Sequence, residues 1–309
     1  MAQNDIETQV IKAQAAKDQN EESLLAKPNV IGVGIGFKES KGKETDEVCV
    51  SVYVEEKVGR KSLSSADMVP NSCDGMTTDV REVGHIEALQ FNTRVRPARP
   101  GFSIGHFQIT AGTFGCLVRD ACYPCKIHIL SNNHVLANTN AAAIGDRILQ
   151  PGPIDGGTVP QDVIARLSRF IPIRFGSPQR YNLVDCALAR PRRLRRVMAS
   201  IINIGIPKGT VEATLGMPVI KSGRTTETTT GTVIGINVTT AVNYGVGIAH
   251  FRDQIMTTNM SAGGDSGSLL LSKDGQKGTG LLYAGSSRIT LHNNLSNVLM
   301  ALGVELITA

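Results

Sequence analysis

Three short segments carry side chains able to do covalent chemistry. Residues 126–137 read KIHILSNNHVLA, an apolar run that enters a polar turn at His134. Residues 181–190 read YNLVDCALAR, with Asp185 at the head of an Ala/Leu run. Residues 261–271 read SAGGDSGSLLL, a glycine-rich loop that carries Ser266 into another apolar run. A serine hydroxyl is a poor nucleophile at neutral pH unless a neighbouring imidazole takes its proton. A carboxylate on the far ring nitrogen would fix the tautomer of that imidazole. The order is His, Asp, Ser, with tens of residues between successive members, so different parts of one fold must supply them.

Those positions need elements to hold them. From about residue 99 the chain consists of short apolar runs at 112–118, 126–130, 147–149, 184–189, 231–238, 268–271 and 280–284. Gly, Pro, Asn and Asp punctuate them. Many short strands without intervening helices predict an antiparallel sandwich or a pair of barrels. Leu295, Val298, Leu299 and Leu302 fall at helical spacing behind Asn293 and Asn294, which predicts a C-terminal helix. The N-terminal part differs. Residues 5–26 are polar and Ala/Gln-rich, with Ile6, Val10 and Ala13 at helical spacing, and support a modest helix. Ile31, Val33, Ile35 and Phe37 alternate with glycines, and Val48, Val50, Val52 and Val54 alternate after a charged, Gly-containing break, which predicts a hairpin; 78–84 adds an edge strand. The Pro/Arg-rich stretch 94–101 marks a boundary. Residues 1–95 are therefore read as a small α+β accessory domain and 96–309 as a mainly β domain.

Composition agrees. The chain has 309 residues, 41% hydrophobic and 19% charged, which excludes a disordered polymer. With no Trp, 4% aromatics and 32 Gly, its core must rest on aliphatic residues in turn-rich β-structure. A net charge of +5 is too weak to call for a nucleic-acid partner. No apolar run reaches membrane-spanning length, and no basic start with an apolar core opens the chain. A cytoplasmic protein follows, with six cysteines mostly as reduced thiols.

Residues 99–309 resemble the trypsin/chymotrypsin family of serine proteases, particularly its cytosolic bacterial and plant members. The residues that carry this are Gly112-Thr113-Phe114-Gly115 and, behind it, three motifs in family order: Ser131-Asn132-Asn133-His134-Val135, Asp185-Cys186-Ala187-Leu188 and Gly263-Gly264-Asp265-Ser266-Gly267. The resemblance implies two antiparallel β-barrels and a serine endopeptidase working through an acyl-enzyme on an intracellular protein. Ser266 would attack, His134 would take and return the proton, and Asp185 would orient the imidazole. The amides of Gly264 and Ser266 would form the oxyanion hole, with Asp265 holding the loop. Met260 would floor the specificity pocket, and Tyr283 and Gly285 would wall it. No carboxylate stands at that floor, so an uncharged, apolar side chain is expected rather than Arg or Lys. The usual disulfides and an Ile-Val-Gly-Gly activation site are missing, so Asp265 needs an internal partner or the accessory domain must order its loop.

Blander readings compete. A degenerate protease could keep these residues and only bind peptides. The alternating Gly32, Gly34 and Gly36 lack the spacing of a nucleotide loop and fit a strand. Cys116, Cys122, Cys125 and His128 could sketch a metal site, yet ordinary thiols in a hairpin explain them, and no metal or cofactor is expected. Cys49, Cys73 and Cys186 read as small buried side chains. The five arginines within 190–196 could meet an acidic protein, nucleic acid or membrane, but a solvated connection is favoured. The segment Lys221-Ser222-Gly223-Arg224-Thr225-Thr226 reads as a barrel turn. His85, His106, His128, His250 and His292 read as structural. The expected partner is a protein or peptide substrate, with no membrane, no nucleic acid and no assigned oligomeric state.

Overall fold

Alternation and turn chemistry produce two compact units, residues 1–89 and 90–309. The computed structural model describes residues 3–40, 42–59, 62–84 and 91–309; His85 lies outside the described residues.

In the first unit, α1 (Gln3–Leu25) precedes a sheet of β1 (Val30–Ser40), β2 (Lys43–Val54), β3 (Ser72–Cys73) and β4 (Met76–Glu82), in the order β1-β2-β4-β3. The hairpin β1–β2 is antiparallel, as the alternation predicts. The strand expected at the edge is internal instead. β4 runs parallel to β2, and the two-residue β3 covers its other side. The face that α1 buries matches the expected one only in part, at Ala13. Val10 is 39% exposed, whereas Ala13, Ala16 and Leu24 are buried. Small alanines let a helix approach a sheet closely, so packing rather than side-chain size selects the face. Gly32 and Gly34 lie within β1 under the Tyr53 ring, as strand residues.

The second unit begins with β5 (Ser103–His106), β6 (Gly112–Thr113), β7 (Cys116–Asp120), β8 (Ile127–Ser131), α2 (Asn133–Leu136), β9 (Arg147–Leu149), β10 (Val163–Phe170) and β11 (Ala187–Pro191). It continues with β12 (Pro218–Gly223), β13 (Glu227–Asn243), β14 (Ile248–Thr258), β15 (Leu269–Ser272), β16 (Gly278–Gly285) and β17 (Ile289–Asn294). It ends with α3 (Leu295–Leu302) and β18 (Val304–Leu306). β12-β13-β14-β17-β16-β15 form a closed barrel, around Val219, Val233, Ile255, Met260 and Leu270. The preceding strands form a curled sheet ordered β18-β7-β8-β11-β10-β9-β5-β6. Its two ends meet through one stretch of chain: Gly112 and Thr113 pair with β5, and residues 116–119 of the same stretch pair with β8. Ile104, Phe114, Ile129, Ile148, Ile164 and Leu167 fill its interior.

A shared core of Val118, Leu130, Leu188, Leu269, Leu281 and α3 residues joins the curled sheet to the barrel. α3 follows its sequence signals closely. The Asn294 side chain accepts from Ser296 N, Gly303 ends the helix at φ 62°, and Leu295, Val298 and Leu302 are buried. Each such side chain stabilises by about 1.5–3 kcal/mol. The 94–101 stretch is held to this unit, since Gln150 Nε2 donates to Thr93 O and Gln150 Oε1 accepts from Val95 N. Among the described residues, no helix is long and apolar enough to cross a membrane.

Candidate active site

β8 ends at Ser131, and the polar turn behind it starts the single-turn helix α2, which carries His134. Asp185 stands two residues before β11, which pairs with β8 through Ala187 and Ser131. That register brings ring and carboxylate together: His134 Nδ1 lies 2.6 Å from Asp185 Oδ2. The carboxylate is fully buried, so every acceptor site needs a donor. Asn133 N donates to Oδ1 at 2.7 Å and His134 N at 3.3 Å, and Tyr244 OH donates to Oδ2 at 2.8 Å. Tyr244 comes from the tip after β13, on the barrel side, and its ring lies edge-on to His134 at 5.8 Å. Burial and the adjacent Asp185 charge push its phenol well above 10, so it stays a donor.

Ser266 and His134 line the same cleft, of about 960 Å³. The expected row of hydrogen bonds is incomplete. Among the described residues none joins Ser266 Oγ to the His134 ring, and the hydroxyl faces Tyr283 O at 3.5 Å. A serine hydroxyl turns freely about one bond, and such contacts tighten only when a substrate fills the site.

The loop before Ser266 has a defined shape. Gly264 has φ +100°, a conformation costly for any side chain, and an added Cβ would lie 2.4 Å from Thr225 Oγ1. Asp265 N donates to Ala262 O and Gly267 N to Leu282 O. Among the described residues, Gly264 N and Ser266 N donate to no protein acceptor, leaving two amides for an incoming oxygen. Asp265 is fully buried beside fully buried Lys221, with Nζ 3.2 Å from Oδ2. Thr226 Oγ1, Thr225 N, Thr226 N and Ala262 N also donate to this carboxylate. Burial lowers the Lys221 pKa while Asp265 pulls it back up. The segment expected to be only a barrel turn thus supplies the cation beside the Asp265 carboxylate, in the loop that carries Ser266. The loop is also gripped from the curled sheet. Thr113 N donates to Ser266 O and Thr113 Oγ1 to Gly264 O, and a Cβ on Gly115 would sit 2.2 Å from Gly267 O.

Two of the three expected pocket residues, Tyr283 and Gly285, line the cleft. Met260 does not. It is buried in the barrel core with Val219, Val233, Ile255 and Leu270, because an apolar side chain just past β14 is drawn inward. Asn259 and Ser261 face the cleft instead. Among the described residues no group of three metal-ligating side chains gathers. Cys116 is buried, whereas Cys122 and Cys125 are exposed. His106, His128 and His292 are buried in the sheets, and burial drives His292 down to about 3.

Residues 11–83 match the family described as the NARROW LEAF 1 N-terminal domain. Glutamyl endopeptidase 2 of Streptomyces griseus is 40% identical over 84 residues, 27% of this chain and 36% of that protein. Serine protease 1 of Streptomyces fradiae is 39% identical over 85 residues, 28% of this chain and 19% of that protein. The chain thus spans about a third and a fifth of these relatives. The Nocardiopsis protease NAPase superposes with TM-score 0.50 at 18% identity, over 68% of this chain and 100% of that one. In sequence the chain resembles the trypsin/chymotrypsin-like serine proteases, and its strand-rich second unit carries their fold.

Proposed function

We propose that residues 90–309 form a serine endopeptidase that cleaves peptide bonds through an acyl-enzyme on Ser266. The observation that carries this reading is the buried Asp185 locked onto His134 beside a loop with two unpaired amides. In this mechanism His134 Nε2 takes the Ser266 proton as Oγ attacks the carbonyl carbon, and the carbonyl oxygen turns towards Gly264 N and Ser266 N. The imidazolium, held by Asp185, then protonates the leaving amine. Water repeats the sequence and frees the acid. His134 transfers the proton and Asp185 orients its ring; Lys221 and Asp265 keep the loop open. An intracellular polypeptide is the proposed substrate, and residues 1–89 are proposed as an accessory unit.

The cleft favours an uncharged side chain before the scissile bond. Asn259, Ser261, Tyr283 and Gly285 line it, and no lysine or arginine does among the described residues. One relative is named a glutamyl endopeptidase; among the described residues no Lys or Arg of this chain lines the cleft to match an acidic side chain. Incubation of the full chain with a fluorophosphonate probe should label Ser266, located by peptide mass mapping. A folded preparation that stays unlabelled but still binds peptides would favour the silent, peptide-binding reading.

Tyr244→Phe tests the phenol that the sequence reading missed. It removes one hydrogen bond to a carboxylate, an interaction worth about 1.5–3 kcal/mol, part of which solvent or rearrangement recovers. We expect kcat to fall about tenfold with KM unchanged, in steady-state peptide hydrolysis. An unchanged kcat would mean that three other donors hold Asp185 sufficiently.

A further inference from the structure

Antiparallel register aligns three arginines side by side on the curled sheet. Arg166 of β10 stands opposite Arg190 of β11 and opposite Arg147 of β9. All three are exposed. Like charges directly opposite one another on a sheet are destabilising, so such a row normally carries an interleaved acid. Here, among the described residues, none of Arg147, Arg166 and Arg190 has an ion-pair partner within 4.0 Å. The acid beside Arg147, Asp146, is held by His106 Nε2 and Ala143 N.

The positive surface continues in the chain that follows β11. Arg192, Arg193 and Arg195 are exposed and likewise without an ion pair among the described residues, and Arg192 N donates to Ile164 O, which keeps the chain beside β10. At the start of β10 a single carboxylate, Asp162, serves both Arg94 and Arg96 at 2.8 and 3.4 Å. Burial and the charges of Arg94 and Arg196 hold the Arg96 guanidinium below its ordinary value.

We propose that the Arg147–Arg166–Arg190 row is a docking site for an acidic segment of a polypeptide, outside the cleft. Neighbouring strands are about 4.8 Å apart, and carboxylates on one side of an extended chain recur about every 6.7 Å. Three long arginine stems can bridge that mismatch. Guanidinium forks match carboxylates bidentately, with both partners planar. Single-stranded nucleic acid is the weaker fit, because it is held by base stacking as well as charge, and no exposed aromatic ring stands on β9, β10 or β11. The choice of a polypeptide rests on the proposed endopeptidase, which would gain a second grip on substrates that carry acid-rich stretches.

Fluorescence anisotropy of a labelled decaglutamate peptide with the full-length Ser266→Ala chain tests this, beside a labelled fifteen-nucleotide thymidine strand. The peptide should bind at low salt and weaken as ions screen the row. The triple variant Arg147→Gln/Arg166→Gln/Arg190→Gln should lose affinity about tenfold, and the corresponding triple Lys variant, which keeps the charge but not the forks, should fall between it and the wild type. If the triple Gln variant melts early, Arg166→Gln alone should still weaken binding severalfold. Equal binding by wild type and these Gln variants, or tighter binding of the thymidine strand, would overturn the proposal. Because binding is read without turnover, a chain that binds the peptide but never labels with the probe sinks the endopeptidase alone. A chain that labels but ignores the peptide sinks the arginine row alone.

Discussion

Ser266→Ala is expected to lower kcat by about 10⁴–10⁶-fold while leaving peptide binding intact, because it removes the proposed attacking atom and little else. The hydroxyl's contact is a long one, 3.5 Å to Tyr283 O, so folding stability should change by less than about 0.5 kcal/mol. Alanine at this position keeps the backbone amide, and with Gly264 N it still offers two donors to a carbonyl oxygen. Some acceleration over uncatalysed hydrolysis should therefore survive. His134→Ala should cost a similar amount, and the double variant no more than either alone, since hydroxyl and imidazole act as one device. Single-turnover kinetics beside calorimetric peptide binding would check all three variants. Retained turnover in Ser266→Ala would move the nucleophile elsewhere. Additive losses would show that Ser266 and His134 work independently.

Lys221→Met is the second large effect. Methionine nearly matches the lysine stem but removes the charge opposite Asp265, leaving a fully buried carboxylate with hydroxyl and amide donors alone. Breaking a buried pair from one side costs about 3–5 kcal/mol of stability. The carboxylate also shapes residues 261–266, so the loop should relax and the two amides diverge. Loss of one oxyanion donor costs about 10²–10³ in kcat, and a drop of that size is expected in molecules that remain folded. Denaturant unfolding read with kcat per labelled site separates the two effects. A variant that loses stability but keeps full kcat would make the pair a staple for the barrel only. In this arrangement the cation that holds Asp265 is a side chain of the same barrel, so the proposed activity requires no newly freed amino terminus.

His134, Asp185 and Ser266 stand out in the sequence as candidates because each lies in a local motif whose strand, turn or loop character is written in adjacent residues. α3 was legible for the same reason, with its spacing, its Asn294 cap and its Gly303 stop all contiguous. Tyr244 was not. It donates to a carboxylate 59 residues earlier in the chain, and its neighbours Asn243 and Gly245 signal only a hairpin tip. Lys221 left a faint trace, a lysine amid the apolar Pro218, Val219 and Ile220, but the partner of a buried charge becomes visible only when the barrel closes. Met260, which the family resemblance implies as the pocket floor, lies in the core, between the cleft-lining Asn259 and Ser261; a single residue of offset exchanges a cleft-facing position for a core-facing one. The same blindness affected the N-terminal unit, where alternation identified the strands but could not reveal that β4 lies parallel and internal.

Thr113 and Gly115 belong to the curled sheet, yet they fasten the backbone of the loop that carries Ser266. The halves are consequently not interchangeable modules. A chimera that takes its barrel from one relative and its curled sheet from another must transplant residues 112–116 together with 261–268, as a lock is moved with its key.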